Sequence, residues 1–185
     1  MKEKTHLGNR LLSVLLTFLM LLSLLPSAAL AADTQQIALM AVTQNGFLIE
    51  PEYVTYHSGD TVKDVLKKSG HTFSGIDSGY ITAVDDTTDN FSIHYDEDGY
   101  KLDQSADGLT AIWFTTNSDQ SHGANLQKLA ANMAVYNTAT NGLKDYKAAQ
   151  EAYDAAVKGF YAATDTKAKT LNDALFSAID KHAKF

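Results

Sequence analysis

Apolar and polar residues alternate with a period of two through the first half of the chain and recur every three to four residues beyond residue 120, which predicts strands first and helices afterwards. The runs 37–43 and 53–57 predict two strands joined near Gln44-Asn45-Gly46, and Asn-Gly is a strong hairpin turn signal. Ser58-Gly59-Asp60 opens a short helix. Asp60 or Thr61 can cap it, and Val62, Val65 and Leu66 have the spacing of an inward face. Gly70 stands where a left-handed residue ends a helix. Residues 80–84 and 91–95 predict a third and a fourth strand. Asp98-Gly99 then turns the chain into a short strand at 100–102, and 109–115 reads as the last and most buried strand.

The second half carries three helical stripes. They run through Leu126, Leu129, Ala130, Met133 and Tyr136; through Tyr146, Ala149, Tyr153, Ala156, Val157 and Phe160; and through Ala168, Leu171, Leu175, Ile179 and His182. Asn141-Gly142 is expected to end the first helix and Thr164-Asp165 to cap the third. Each segment covers about 18–20 residues, or about 30 Å at the usual rise. A hairpin, one crossover helix and returning strands predict an α+β chain with a β-grasp sheet, its helix lying across one sheet face. Short connections predict an antiparallel three-helix bundle after it. Alanine supplies 16 of the last 65 residues, so this bundle should bury little apolar area alone and gain from docking.

The chain has 185 residues, a formal charge of −7 and no cysteine. The missing cysteine excludes disulfide scaffolds, thiol nucleophiles and cysteine-ligated zinc. Residues 1–31 read as a secretory signal peptide. Lys2, Lys4 and Arg10 precede an apolar run at 11–25, and Ala29-Leu30-Ala31 forms a small-x-small site before Ala32. That run is shorter than the ~20 residues a spanning helix needs. A secreted protein is therefore expected, with no stable membrane insertion after cleavage. The stretch 178–185 holds no LPxTG-like sequence, so release or non-covalent retention at the cell surface is expected.

Charge divides the remainder. Residues 32–120 carry 4 Lys and 15 Asp/Glu, while 121–185 carry 8 Lys and 6 Asp/Glu. With the polar joint at 118–123, this predicts two domains, 32–120 and 121–185. The acidic balance argues against nucleic acid as a partner.

Ser58-Gly59-Asp60-Thr61-Val62-Lys63-Asp64-Val65-Leu66-Lys67-Lys68 resembles the GDTVLDALK signature of a bacterial extracellular β-grasp domain of unknown function, related to the C-terminal domain of transcobalamin and intrinsic factor. Tyr80-Ile81-Thr82-Ala83-Val84 is similar to that family's next strand, and residues 91–100 to its hairpin, with Phe91 in place of the usual Trp. Residues 107–114 are similar to its last strand, with Leu109 where Asp is usual. The resemblance covers 37–117 and implies a surface-exposed or secreted binding module that is not an enzyme. The helical half resembles, more loosely, spacer repeats of Gram-positive surface proteins, through 147–153 and Ala163-Thr164-Asp165-Thr166-Lys167.

Candidate chemistry is confined to the strand half. Eight carboxylates lie between Asp85 and Asp107. Carboxylates at this spacing can ligate Ca²⁺, but an EF-hand register on Gly99 fails because it puts Ser105 where the bidentate glutamate belongs. The competing reading is a solvated acidic hairpin that keeps a sheet edge soluble. No HExxH, P-loop, G-x-G-x-x-G or G-x-S-x-G occurs. Trp113 reads as core. Tyr80, Tyr95 and Tyr100, with Asp96 and Asp98, are the expected contacts to a surface protein or small ligand. No cofactor is expected for that reading. The alternative is a small-molecule binder of cobalamin-like ligands.

Overall fold

A computed structural model describes residues 34–94, 101–120 and 123–183. The expected signal peptide, 1–31, lies outside them. Strand β1 (Thr34–Thr43) turns into β2 (Gly46–His57), and helix α1 (Val62–Lys68) follows. Then come β3 (Phe73–Ser74), a 3-10 turn (Ile76–Ser78), β4 (Ala83–Val84), β5 (Ser92–His94) and β6 (Ala111–Thr115). Helices α2 (Ala124–Thr138), α3 (Lys147–Phe160) and α4 (Asp165–His182) complete an α+β fold. Four strands form one mixed sheet in the order β2-β1-β6-β5, and β3 and β4 form a separate ribbon. β1 runs parallel to β6, with Met40 opposite Trp113, and β5 runs antiparallel to β6.

The period of two in β1 and β6 supplies two cores. Ile37, Leu39, Ala41, Ile112 and Phe114 face one side and pack with Val62, Val65 and Leu66 of α1. Ala38, Met40, Val42, Ala111 and Trp113 face the other and pack with the helical half. β6 lies between the two cores, so all five of its residues are buried, four apolar ones and Thr115. The change of composition near residue 120 marks the switch from strand to helix, yet Gln35–Phe185 form one compact unit.

Polar groups tie the layers at defined points. Trp113 packs edge-on against Phe160, centroids 6.1 Å apart, and its Nε1 donates to Gln120 Oε1 at 3.0 Å. Gln120 Nε2 in turn donates to the Phe160 carbonyl at 2.7 Å. Across α2, Tyr53 Oη donates to the Ala131 carbonyl at 3.2 Å, and Asn137 Nδ2 to the Pro51 carbonyl at 2.9 Å. The cap of α2 comes from a distant residue: Asp165 Oδ1 accepts from Asn125 N at 3.0 Å. Gly123 makes room for this, because a Cβ there would lie 1.8 Å from the same carboxylate oxygen.

The first turn of α1 is fully accounted for. Thr61 caps it, with its hydroxyl accepting from Asp64 N while Asp64 Oδ2 accepts from Thr61 N, a reciprocal capping box. The N–H groups of Val62 and Lys63 donate to the carbonyls of Gln104 and Leu102, at 2.9 and 2.8 Å. Residues 102–104 therefore serve the helix; of the short strand expected at 100–102, residues 101 and 102 carry no strand and Tyr100 lies outside the described residues.

Other expectations shift. β2 is twelve residues long, reading through Pro51, where only 53–57 was expected. The third strand keeps only Ala83–Val84 of 80–84. Helix α2 stops at Thr138, short of Asn141-Gly142, because Gly142, at φ +80°, opens a 3-10 turn instead. The three later helices have 15, 14 and 18 residues and no more. Among the described residues, no helix is long and apolar enough to cross a membrane.

Candidate functional site

The ribbon β3-β4 holds a tight excursion that carries Tyr80. Gly75 and Gly79 take left-handed conformations on either side of the 3-10 turn Ile76–Ser78. Ser78 N and Tyr80 N both donate to the Gly75 carbonyl, and Thr82 N returns to the Ser74 carbonyl at 2.9 Å. A Cβ on Gly75 would meet the Tyr80 carbonyl oxygen at 2.0 Å, so this close approach requires glycine. Asp77 pins the turn to α1: its Oδ1 lies 2.8 Å from Lys67 Nζ and 3.1 Å from Lys63 Nζ. The two ammonium groups hold the Asp77 carboxyl below the usual carboxylate range. The result is a braced turn with the Tyr80 side chain outside it, 66% exposed.

Beside it lies an open groove of about 650 Å³. Its lining combines the apolar Tyr80, Ile81 and Phe91 with the polar Asp89, Asn90 and Ser118. Residues 89–91 are held in a bend in which Asp89 Oδ1 accepts from Asn90 N at 2.8 Å and the Asp89 carbonyl from Phe91 N at 3.0 Å. Phe91 leads directly into β5, the outer strand of the sheet. The groove therefore sits along the β5 edge.

A second constellation joins β2 to the ribbon. His71 Nδ1 lies 2.6 Å from Asp85 Oδ2, and Nε2 lies 3.2 Å from Glu52 Oε1. Asp85 Oδ1 also accepts from Thr72 N at 2.8 Å. Asp85 and Asp86 have φ of +44° and +63°, the left-handed pair of a two-residue turn between Val84 and Thr87. The bonds from residues 71 and 72 offset that local strain. His71 thus bridges a carboxylate on β2 and one on the ribbon turn.

Asp107 and Asp60 are also engaged in structure. Asp107 accepts from Ser58 Oγ, Gly59 N and Gln35 Nε2, at 3.1, 3.0 and 3.2 Å. Asp60 accepts from His57 N at 2.7 Å and pairs with Lys68, and that lysine is the main reason its pKa is lowered. These contacts show what the Ser-Gly-Asp-Thr signature does here: it stitches the end of β2, the start of α1 and the loop before β6. Burial, with help from the nearby Asp107 and Asp60, raises the pKa of Tyr56, whose hydroxyl donates to Gln35 and to the Ala106 carbonyl. Among the described residues, no group of three or more histidines and carboxylates could hold a metal ion.

Of the expected contact residues, Tyr80 stands on the groove; Tyr95, Tyr100, Asp96 and Asp98 lie outside the described residues. Trp113 is fully buried. The sequence reading missed Ile81, Phe91, Asp89 and Asn90 as lining. The available signal was the doubled Ser-Gly of Ser74-Gly75 and Ser78-Gly79, which brackets a turn just before Tyr80. No family model and no curated protein sequence matches the chain.

Proposed function

We propose that the chain is a non-catalytic binding or adhesion module, secreted or held non-covalently at a bacterial cell surface, that engages its partner along the β5 edge. The finer fold proposed with it is a β-grasp sheet, supported by the hairpin β1-β2, the single helix α1 and the parallel seating of β6 against β1. A three-helix bundle closes its second face. The supporting observation is Tyr80: a large ring left 66% exposed on a turn braced by two lysine–aspartate pairs and two left-handed glycines. An exposed tyrosine offers a broad apolar face with a polar tip, the kind of side chain that anchors contacts with a partner.

The test is saturation binding of fluorescently labelled protein to isolated bacterial envelopes and to immobilised matrix proteins, comparing wild type with Tyr80→Ala. Saturable binding weakened by the substitution supports the reading. Binding that never saturates, or is indifferent to residue 80, overturns it. A rise in melting temperature on adding cobalamin would replace it with the corrinoid-binding alternative.

A further inference from the structure

We infer that the groove beside Tyr80 takes an uncharged glycan; the inference rests on the binding-module reading above and names its ligand class. A pyranose ring presents one patch of C–H groups and a rim of hydroxyls, so a protein recognises it with an exposed aromatic face beside short polar side chains. Both parts are present. The ring of Tyr80 is the exposed face, and Ile81 and Phe91, half-buried, extend it. The same lining holds the carboxylate of Asp89, the amide of Asn90 and the hydroxyls of Thr88 and Ser118, all on exposed residues. The side chains of Thr88, Asn90 and Ser118 make no hydrogen bond among the described residues. Such groups offer donors and acceptors in the mixture a sugar hydroxyl needs, since each hydroxyl both donates and accepts.

Charge narrows the class. The lining contains an aspartate and no lysine, arginine or histidine, and the half that carries it holds 15 Asp/Glu against 4 Lys. Uronic acids, sialic acids and phosphosugars would enter against that field. A protein hot spot is the less fitting occupant, because it calls for a deep, fully desolvated pocket, whereas this groove is open and partly polar. Its volume of about 650 Å³ lies within the roughly 300–1,000 Å³ usual for small-ligand sites. An open groove keeps water around the ligand's outer hydroxyls, so binding should be weak and fast.

The experiment is an array of neutral and acidic glycans probed with the full-length secreted protein, followed by calorimetric titration of the best neutral hit and of polygalacturonate. A neutral oligosaccharide is expected to bind saturably. Tyr80→Ala should weaken it about tenfold, and Tyr80→Phe, which keeps the ring, by less than about threefold. Asp89→Asn should leave polygalacturonate the weaker ligand. Residue 80 is exposed, so both variants are expected to melt like wild type, which a thermal scan checks. Absence of any neutral hit overturns the inference, as does neutral binding indifferent to Tyr80→Ala or tighter binding of the acidic polymer. Tyr80-dependent binding to envelopes that survives periodate oxidation but not protease would sink the glycan while leaving the binding module standing.

Discussion

Replacing Gln120 by alanine should loosen the joint between sheet and helices, and the size of the effect can be worked from its contacts. Gln120 is 4% exposed and makes two well-formed bonds: it accepts from Trp113 Nε1 at 3.0 Å and donates to the Phe160 carbonyl at 2.7 Å. The two losses differ. The Phe160 carbonyl also accepts from Ala163 N at 3.0 Å, so it keeps a partner and the second bond is worth about 1 kcal/mol. The indole N–H loses its glutamine acceptor inside a core where Trp113 has no exposed surface, at about 1–3 kcal/mol. The sum is about 2–4 kcal/mol. For a folding unit of this length, each kcal/mol lowers Tm by about 2–4 °C, giving a fall of about 6–12 °C at the middle of that range. Urea unfolding of wild type, Gln120→Ala, Trp113→Phe and the double variant closes a cycle. Trp113→Phe removes the N–H, so the cycle isolates the bond from the lost indole volume. Coupling of about 1 kcal/mol or more is expected. Additivity within about 0.5 kcal/mol would refute the assignment of Gln120 as the clasp.

The acid limb of stability should depend on Asp60 and Asp64. Both carboxyls are held below the usual range, Asp60 chiefly by Lys68 and Asp64 chiefly by the backbone of Thr61. A depressed pKa contributes stability that is complete above the ordinary aspartate value and is lost as pH falls through the lowered one. Urea midpoints measured from about pH 5 down to pH 2 should therefore fall, and fall less steeply in Asp60→Asn. Gly75→Ala should destabilise by at least about 1–2 kcal/mol, since it combines a φ of +81° with a Cβ 2.0 Å from the Tyr80 carbonyl oxygen. The same variant should impair ligand binding by displacing Tyr80, read as a parallel loss in thermal scans and titrations. Asp165→Ala removes the acceptor for Asn125 N and should cost about 1 kcal/mol, with faster amide exchange at the start of α2. Unchanged exchange there would show that the cap is idle.

Long periodic segments were legible from residues alone. The stripe Val62, Val65, Leu66 with Thr61 before it gave α1 and its cap, and Thr164 gave the start of α4, where its hydroxyl accepts from Lys167 N at 3.3 Å. Gly70 has the left-handed φ, +86°, that its position called for. The misses have local causes. Glu50-Pro51-Glu52 breaks the alternation in β2, yet Pro51 is buried and its carbonyl finds a donor in Asn137, a partner 86 residues away. The 80–84 run kept strand form only where Ala83 and Val84 pair with Ser74 and Phe73, because the Gly75 turn captures Tyr80 first. The resting place of Gln120 was hidden as well: in sequence it is one polar residue in a polar joint, and only the approach of Trp113 and Phe160 makes it core. The groove was half visible, since Tyr80 could be singled out by type while Asp89 and Asn90 join it only through folding.

The pairing of β1 with β6 sets an order of events for the newly made chain. Residues 38–42 find their second neighbour at 111–115, some seventy positions later. Until that stretch has been synthesised, β1 has one flank of amides and carbonyls without a native mate. A chain arrested before residue 115 should hence behave as sticky and protease-sensitive, and full protection should wait for the helices that cover Met40 and Trp113.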